Sequence, residues 1–331
     1  MHILITGVAG LLGSHISRHL LSEGHKVIGI DNFFGGYKDF LPDDDNFEFY
    51  NLNLEEDIQG IQNIFAKYKP DVVYHFAAYA AEGLSPFIRN FNYTNNILAS
   101  VNIINECIRY KSKLIFTSSM AVYGNQSPPF TEDLQQAPID PYGIAKYAVE
   151  MDIIKAHEQF GLRYNIIRPH NVLGIYQNIW DRYRNVIGIF IRKTLNNQPI
   201  LVYGDGEQTR AFSDIKYYIK PFDCLLTDKF NGELFNIGAD KYFTLNEVAK
   251  TVQQIGRKYG YDVPIQHGEP RHEAKHAYCD HTKAKNMLNF KDETNLVELI
   301  ESLFVWAKSE PNRKVKNIEY ELTEGIYEYW K

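Results

Sequence analysis

Cysteine is scarce. Cys107, Cys224 and Cys279 stand far apart in 331 residues and form no CxxC, which excludes a disulfide framework and a zinc cluster and fits a reducing compartment. Long apolar runs are missing as well: none reaches the roughly 18 residues of a membrane span. Residues 1–6 already read as a buried strand, which leaves no room for a signal peptide, so a cytoplasmic protein is expected. Basic charge is in deficit, with 35 Lys and Arg against 41 Asp and Glu and a formal net charge of -6. Such a chain offers no field to nucleic acid or an anionic membrane, and any phosphate site must be local. Repeats and low-complexity tracts are absent, and the acidic run 43–45 reads as a solvated loop. The 23 Tyr and 20 Phe lack the basic interleaving of a single-strand nucleic-acid groove and read as core and pocket lining.

What is present is a rhythm. Strands are expected at 2–6, 26–30, 47–51, 72–76, 113–117 and 164–168, alternating with helices at 11–23, 57–68, 90–110 and 142–160. This alternation predicts a parallel sheet covered on both faces, a Rossmann-type doubly wound α/β fold. Beyond Arg168 the rhythm breaks at Pro169, Gly174, Pro199, Gly204 and Gly206, with helices expected at 185–195 and 245–259. The expected division is a dinucleotide-binding domain over 1–168 and a smaller C-terminal substrate-binding lobe over 169–331, some segments of which return to the first domain.

Directly after the first strand stands GVAGLLG at 7–13, a GxxGxxG spacing that leads into a helix. Glycines there let backbone amides approach a pyrophosphate at the helix N-terminus, although tight strand-to-helix packing asks for the same residues. Asp31, eighteen residues past Gly13 at the end of the second strand, supplies the other half of the argument. A carboxylate at that place accepts from adenosine ribose hydroxyls and repels a 2′-phosphate, so NAD is expected rather than NADP.

YGIAK at 142–146 sets a phenol and an ammonium one helical turn apart on one face. A Tyr of ordinary pKa needs about 4 kcal/mol of phenolate stabilisation to act as a base near pH 7. The Lys ammonium and a positive nicotinamide ring are the groups expected to provide it. TSSMAVYG at 117–124 lies at the C-terminal end of a strand, where open parallel sheets bind ligands. A Ser hydroxyl there can donate to the oxygen whose proton the Tyr removes; an isolated Ser in that place also reads as a helix cap.

Together with HFAA at 75–78 and RPHNVLG at 168–174, these motifs resemble, in order and over nearly the whole chain, the NAD-dependent epimerase/dehydratase family of extended short-chain dehydrogenase/reductases. YGDGEQTRAF at 203–212 and EPRHEAKHAYCD at 269–280 resemble that family's diphosphate-binding elements, whereas the tail from about 311 resembles nothing in it. The resemblance implies Tyr142 as catalytic base and acid, Lys146 as its electrostatic partner and nicotinamide-ribose ligand, and Ser119 as proton-relay hydroxyl. It implies a cofactor site of Gly7, Gly10, Leu11, Leu12, Gly13, Asp31, Asn32, Asn53, Leu54, Phe76, Ala77, Ala78, Asn95, Thr117, Pro169 and Asn171 beside Tyr142 and Lys146. The implied substrate site is Ser119, Met120, Asn171, Asn185, Val186, Arg210 and Arg271, with no metal. Arg suits a diphosphate because its planar fork satisfies two oxygens at once. Asn53 replaces an Asp common in relatives, and Lys216 and Tyr217 replace a frequent acidic pair.

Dehydratases of the family carry Asp-Glu after the catalytic hydroxyl residue; Met120 and Ala121 hold those places here, and neither exchanges a proton. The Glu of the decarboxylases and the Cys and Lys of the 3,5-epimerases are also absent. The resemblance therefore implies a nucleotide-sugar 4-epimerase acting by transient C4 oxidation with bound NAD. A 4,6-dehydratase or 4-reductase is the alternative, and Ser119, Tyr142 and Lys146 argue against a non-catalytic NAD-binding protein. The substrate is expected to be a UDP-hexose, with UDP-glucose, UDP-N-acetylglucosamine and UDP-glucuronate open and GDP or TDP not excluded. Aligned on Cys279 and Asp280, Ala277 falls where relatives that exclude N-acetyl sugars carry a large Tyr; one residue of slippage puts Tyr278 there. Arg89, Arg182, Arg184 and Arg192 read as exposed charges, with a uronate ligand as the alternative. A homodimer through helices 90–110 and 142–160 is implied by the resemblance.

Overall fold

Residues 1–330 are described by a computed structural model of the chain. Six strands, β1 (His2–Thr6), β2 (Lys26–Asp31), β3 (Phe47–Asn51), β4 (Val72–His75), β5 (Lys113–Thr117) and β6 (Tyr164–Pro169), lie parallel in the order β3-β2-β1-β4-β5-β6. A seventh strand, Leu234–Ile237, extends the sheet beside β6 although it arises far outside residues 1–168. The reversal of strand order between β1 and β4 brings Thr6 level with both Ile30 and His75, so the strand ends open a crevice on that edge.

Successive residues of each strand face opposite layers. Ile3 and Ile5 pack with Ile16 and Leu20 of α1 (Leu11–Ser22), Phe222 of α7 (Ile219–Cys224) and Leu288 of α9 (Thr282–Leu288). Leu4, Ile28, Val73 and Phe116 face the other way, onto α2 (Ile58–Tyr68), α4 (Ala99–Tyr110) and α5 (Pro141–Phe160) through Phe65, Ile103 and Ile153. The doubly wound architecture follows from this alternation.

The helix expected as one run over 90–110 starts as α3 (Arg89–Tyr93), widens into a π-turn at Thr94–Leu98 and continues as α4. Two buried asparagines hold it there. Asn92 donates to the Pro141 carbonyl at 2.9 Å, and Asn96 accepts from the Tyr79 amide at 3.0 Å and donates to Asn92 at 2.9 Å. The wide turn sets Asn95 on the crevice wall.

A second core gathers α6 (Val186–Leu195), α8 (Leu245–Lys258) and α10 (Leu296–Ser309) around Phe190, Val252, Ile300 and Phe304. In α8 the buried Leu245, Val248, Ala249, Val252 and Ile255 follow a helical stripe, and Thr244 and Glu247 close a capping box at its start. No helix among the described residues is long and apolar enough to cross a membrane.

One buried ion pair joins the layers. Arg168 on β6 donates to both oxygens of Glu150 on α5, Nε at 2.8 Å and Nη2 at 2.5 Å, and to the Tyr123 hydroxyl at 2.7 Å. The Tyr123 hydroxyl in turn donates a hydrogen bond to Asn236 Oδ1 at 2.8 Å, so α5, β6 and the seventh strand share one network. Both partners are 2% exposed. Leaving one buried charge unpaired costs about 3–5 kcal/mol, whereas removing both costs far less. Arg168→Met should therefore lower unfolding free energy by roughly that amount and Arg168→Met/Glu150→Leu should recover more than half of it, as read from urea midpoints.

Candidate active site

The glycine loop is shaped by what cannot fit. Gly7 has φ +71°, and a Cβ there would meet the Ala77 nitrogen at 2.7 Å; one on Gly13 would meet the Gly7 carbonyl oxygen at 2.2 Å. Gly10 has nothing nearer than 3.3 Å. Gly7 and Gly13 are thus demanded by the packing of loop on strand and helix on loop, while Gly10 faces the crevice. Leu11 lines it too, and Leu12 turns into the apolar layer.

Asp31 ties this loop to the next. Its Oδ2 accepts from the Ala9 amide at 3.0 Å and its Oδ1 from the Phe33 amide at 2.8 Å. Burial pushes the carboxyl up, and these two amides pull it back. A carboxylate has about four acceptor sites, so positions remain for two hydroxyls. Asn53 Oδ1, standing for the more usual acid, already accepts from Asn32 Nδ2 at 2.9 Å.

A hydrogen-bond chain fixes the opposite wall. Ser100 Oγ donates to the Asn96 carbonyl at 2.7 Å and so accepts from His75 Nε2 at 2.8 Å; His75 Nδ1 in turn accepts from Thr6 Oγ1 at 2.6 Å. Thr6 Oγ1 takes the Ala77 amide at 3.2 Å. Burial, reinforced by the nearby Lys146, pushes His75 down to about 3, so the ring stays neutral and the wall of Phe76, Ala77 and Ala78 is held in one register.

Tyr142, Lys146 and Glu150 occupy successive turns of α5. Asp140 caps its start, accepting from the Gly143 amide at 2.8 Å. The Tyr142 phenol borders the crevice together with Ser119, whose Oγ accepts from the Ala121 amide at 3.1 Å and whose hydroxyl favours the phenolate. Ser119 is thus both turn cap and neighbour of Tyr142. Lys146 lies beneath the floor, with Nζ donating to the Thr117 carbonyl at 2.9 Å and standing 5.9 Å from the Tyr142 ring centre. Burial pushes Lys146 down to about 7, against the pull of Glu150. Burial and then the charge of Glu82 push the Tyr142 phenol above its ordinary value, with Ser119 opposing. Lys146 by itself, with Nζ 5.9 Å from the ring centre, does not lower the phenol; the expectation joins it to a nicotinamide charge. The positive charge that would favour a phenolate has to be added by a ligand.

The far half of the cleft is built by the second lobe. Asn185, at φ +58°, caps α6 by accepting from the Gly188 amide at 3.3 Å, and Val186 borders the cleft. Asn171, at φ +42°, donates to the Ala211 carbonyl at 2.9 Å, and Pro169 lies beside it. Arg210 is pinned by Glu273 at 2.9 Å and the Ala274 carbonyl at 2.7 Å. The Arg271 guanidinium lies 3.5 Å from the centre of the Tyr203 ring and 5.0 Å from that of Trp330.

These parts enclose one cleft of about 740 Å³. It brings together the expected residues with four exceptions: Leu12, Gly13, Thr117 and Lys146 stand behind its surface, and Leu54 and Met120 border it with the rest. Lys216 and Tyr217 lie outside, bonded to Asp214 at 3.0 Å and to the Glu293 carbonyl at 2.9 Å. The reading of Arg184 and Arg192 as exposed charges is corrected. Arg184 sits in the cleft wall on Asp181 at 3.0 Å and over Tyr79, and Arg192 is half-buried on the Trp180 carbonyl, because aromatic side chains around them displace water. Sequence reasoning missed Glu82, Tyr79 and Tyr327, which also line the cleft. A lone acid in the apolar stretch after β4, at a ligand-binding strand end, was the available signal for Glu82.

The tail also proves to be a wall. Arg313 pairs with Asp39 and faces the rings of Tyr37, Phe40 and Trp180; Lys316 reaches the Asn32 carbonyl at 3.2 Å. Glu321 accepts from the Asn90 and Phe91 amides at 2.7 and 2.8 Å, capping α3, and Trp330 is buried against Phe87 and Tyr183.

A parallel sheet with a glycine turn at its switch point, an acid after β2 and a Ser-Tyr-Lys group on one edge defines a dinucleotide-dependent enzyme fold of the short-chain dehydrogenase type. The chain belongs to the NAD dependent epimerase/dehydratase family, which matches residues 3–238. It is 29% identical to a UDP-glucose 4-epimerase of Caenorhabditis elegans, over 94% of this chain and 99% of that protein. It is also 29% identical to a UDP-N-acetyl-alpha-D-glucosaminuronate decarboxylase of Bacillus cytotoxicus, over 93% of this chain and 98% of that protein. A UDP-glucose 4-epimerase of Thermotoga maritima solved with UDP-glucose superposes with a TM-score of 0.86 at 31% identity, covering 93% of this chain and 99% of that one.

NAD is the family's cofactor, and the residues present fit it. The Leu11 and Leu12 amides at the start of α1 have no partner among the described residues and are open to a pyrophosphate, Asp31 keeps acceptor positions for ribose hydroxyls, and the buried Ser118 Oγ on the cleft wall has no partner among the described residues. Asp31 should also set the choice between dinucleotides. Cofactor released by denaturation and weighed by mass spectrometry should be NAD, and Asp31→Ala should raise the NADP share at least several-fold; a wild type carrying mainly NADP would contradict this.

Proposed function

We propose that this chain is a nucleotide-sugar 4-epimerase, acting on a UDP-hexose. The observation that carries the reading is the Ser119–Tyr142 hydroxyl pair at the cleft floor, followed by Met120 and Ala121 rather than by an acid and a base. NAD, held along Asp31 and Lys146, would supply the hydride acceptor and donor for transient oxidation at C4 of the sugar. The protein's part is protonic and positional. Tyr142, in concert with Ser119, removes the C4 hydroxyl proton and gives it back; Lys146 and the Asp31 side of the cleft hold the cofactor; Arg210 and Arg271 grip the diphosphate while the hexose turns over. Elimination of water would need one group to take a C5 proton and another to protonate the C6 hydroxyl, and the side chains after Ser119 do neither.

Tolerance of a 2-acetamido group is part of the proposal. Ala277 borders the cleft, whereas Tyr278 stacks on Tyr242 with centroids 4.3 Å apart. The small residue therefore stands at the wall, which supports N-acetylhexosamine substrates beside plain hexoses.

Tyr142→Phe should reduce epimerisation of UDP-glucose or UDP-N-acetylglucosamine by roughly 10² to 10⁴-fold while NAD stays bound. A loss of only a few-fold would remove Tyr142 from the role. In deuterated water the epimerised sugar should carry no carbon-bound deuterium. Deuterium at C5, or a product lighter by one water, would point to elimination or 5-epimerisation.

A homodimer belongs to the same proposal. Leu98 is 54% exposed, Ile144 43% and Met151 49%, all on the helical face turned away from the sheet. Apolar surface of that kind is suited to a two-fold helix bundle. Light scattering at micromolar concentration should give twice the chain mass, and a monomer would count against it.

A further inference from the structure

Asp140, Glu273 and Glu82 line the cleft with Tyr142, and two of these three acids are already engaged. Asp140 caps α5 on the Gly143 amide at 2.8 Å, and Glu273 holds Arg210 at 2.9 Å and Gln208 at 3.2 Å. The third, Glu82, lines the cleft in the segment after β4, and no group among the described residues bonds to its carboxylate. Its charge is felt by Tyr142 on one side and interacts with Arg210 on the other. The following residue, Gly83, abuts Arg271 and Trp330, with the nearest Arg271 nitrogen 3.9 Å from where a Cβ would stand. Glu82 thus lines the same cleft as the phenol assigned to C4 and the arginines assigned to the diphosphate, with its neighbour Gly83 beside Arg271. A hexose spanning that stretch comes within its reach.

We propose that Glu82 is a specificity-determining residue that selects a neutral hexose and rejects a hexuronate. The inference rests on the nucleotide-sugar reading of the cleft. An ionised carboxylate only accepts hydrogen bonds, and sugar hydroxyls or a 2-acetamido N–H donate them. A C6 carboxylate in the same place offers no donor and adds like charge, so discrimination comes from the repulsive element. The cations of this part of the cleft are already held, Arg210 by Glu273 at 2.9 Å and Arg184 by Asp181 at 3.0 Å. The Glu82 side chain stands exposed in the open cleft; desolvation there and the charge of Asp140 raise its carboxyl, with Arg210 opposing. The contrast is therefore read at pH 8, where the group is ionised.

The test is calorimetric binding of UDP-glucose, UDP-glucuronate and the neutral amide UDP-glucuronamide to the NAD-loaded enzyme. Wild type should bind UDP-glucuronate at least roughly 30-fold more weakly than UDP-glucose, and the amide within about 3-fold of UDP-glucose. Glu82→Gln should close the gap, chiefly by gaining affinity for the uronate. Equal binding of uronate and hexose by wild type, rejection of the amide along with the uronate, or an unchanged gap in Glu82→Gln would each overturn the assignment. The amide arm decides even if the variant does not fold. Turnover of UDP-glucose, followed in the same samples, tests the epimerase reading separately: no isomerisation with an intact, Glu82-dependent gap would defeat that reading and leave this one standing.

Discussion

The Arg168–Glu150 pair is the constraint on which the site depends. It locks the middle of α5 to β6, and Tyr142 and Lys146 stand two turns and one turn before Glu150 on the same helical face. Any rotation of α5 about its axis would carry the phenol away from Ser119 and Nζ away from Thr117. Such a pair is costly to desolvate and is weak as a source of stability, so its value here is geometric: it allows one rotational setting of the helix. The third arm, through Tyr123 to Asn236, extends that setting to a strand contributed from the second half of the chain.

Electrostatics in the cleft are arranged around a charge that the protein does not itself carry. Lys146 is pushed down and Tyr142 up by the same burial, so the two drift toward neutrality together rather than exchanging a proton. The basic side chains nearest the substrate half, Arg184 and Arg210, are each neutralised by an acid of the chain. A cationic ring and a diphosphate would complete both ends of a cleft whose arginines are already paired with the chain's own acids. His75 shows the same economy of charge: burial, with Lys146 nearby, keeps it neutral beside the cofactor wall, where two hydroxyls orient it.

Much of the fold could be read from local pattern. The first six strands and the helices at 11–22, 58–68 and 141–160 follow from apolar periodicity, and glycines 7 and 13 from the clash that any Cβ would cause. Ser119, Tyr142 and Asp31 were legible because their neighbours in sequence fix their places at strand ends and on a helix face. What escaped depends on contacts distant in sequence. The π-turn answers to asparagines that reach Tyr79 and Pro141, and nothing in the spacing of 90–110 marks it. Arg184 looks like a surface charge until Tyr79 and Asp181 are brought to it. The choice between Ala277 and Tyr278 was an ambiguity of register, settled by the pairing of residues 276–277 with 209–210.

The C-terminal strap has an implication for the order of assembly. Residues 313–330 contact the cleft at Asn32, beside Asp31, and again near Gly83 and Arg271, at the opposite end. During synthesis from the N-terminus, the sheet, the glycine loop and both arginines are already made before this stretch emerges. Until then the groove lacks the part of its lining that Tyr327 supplies. The last stretch of chain to be made is therefore one of the pieces that finish the binding surface.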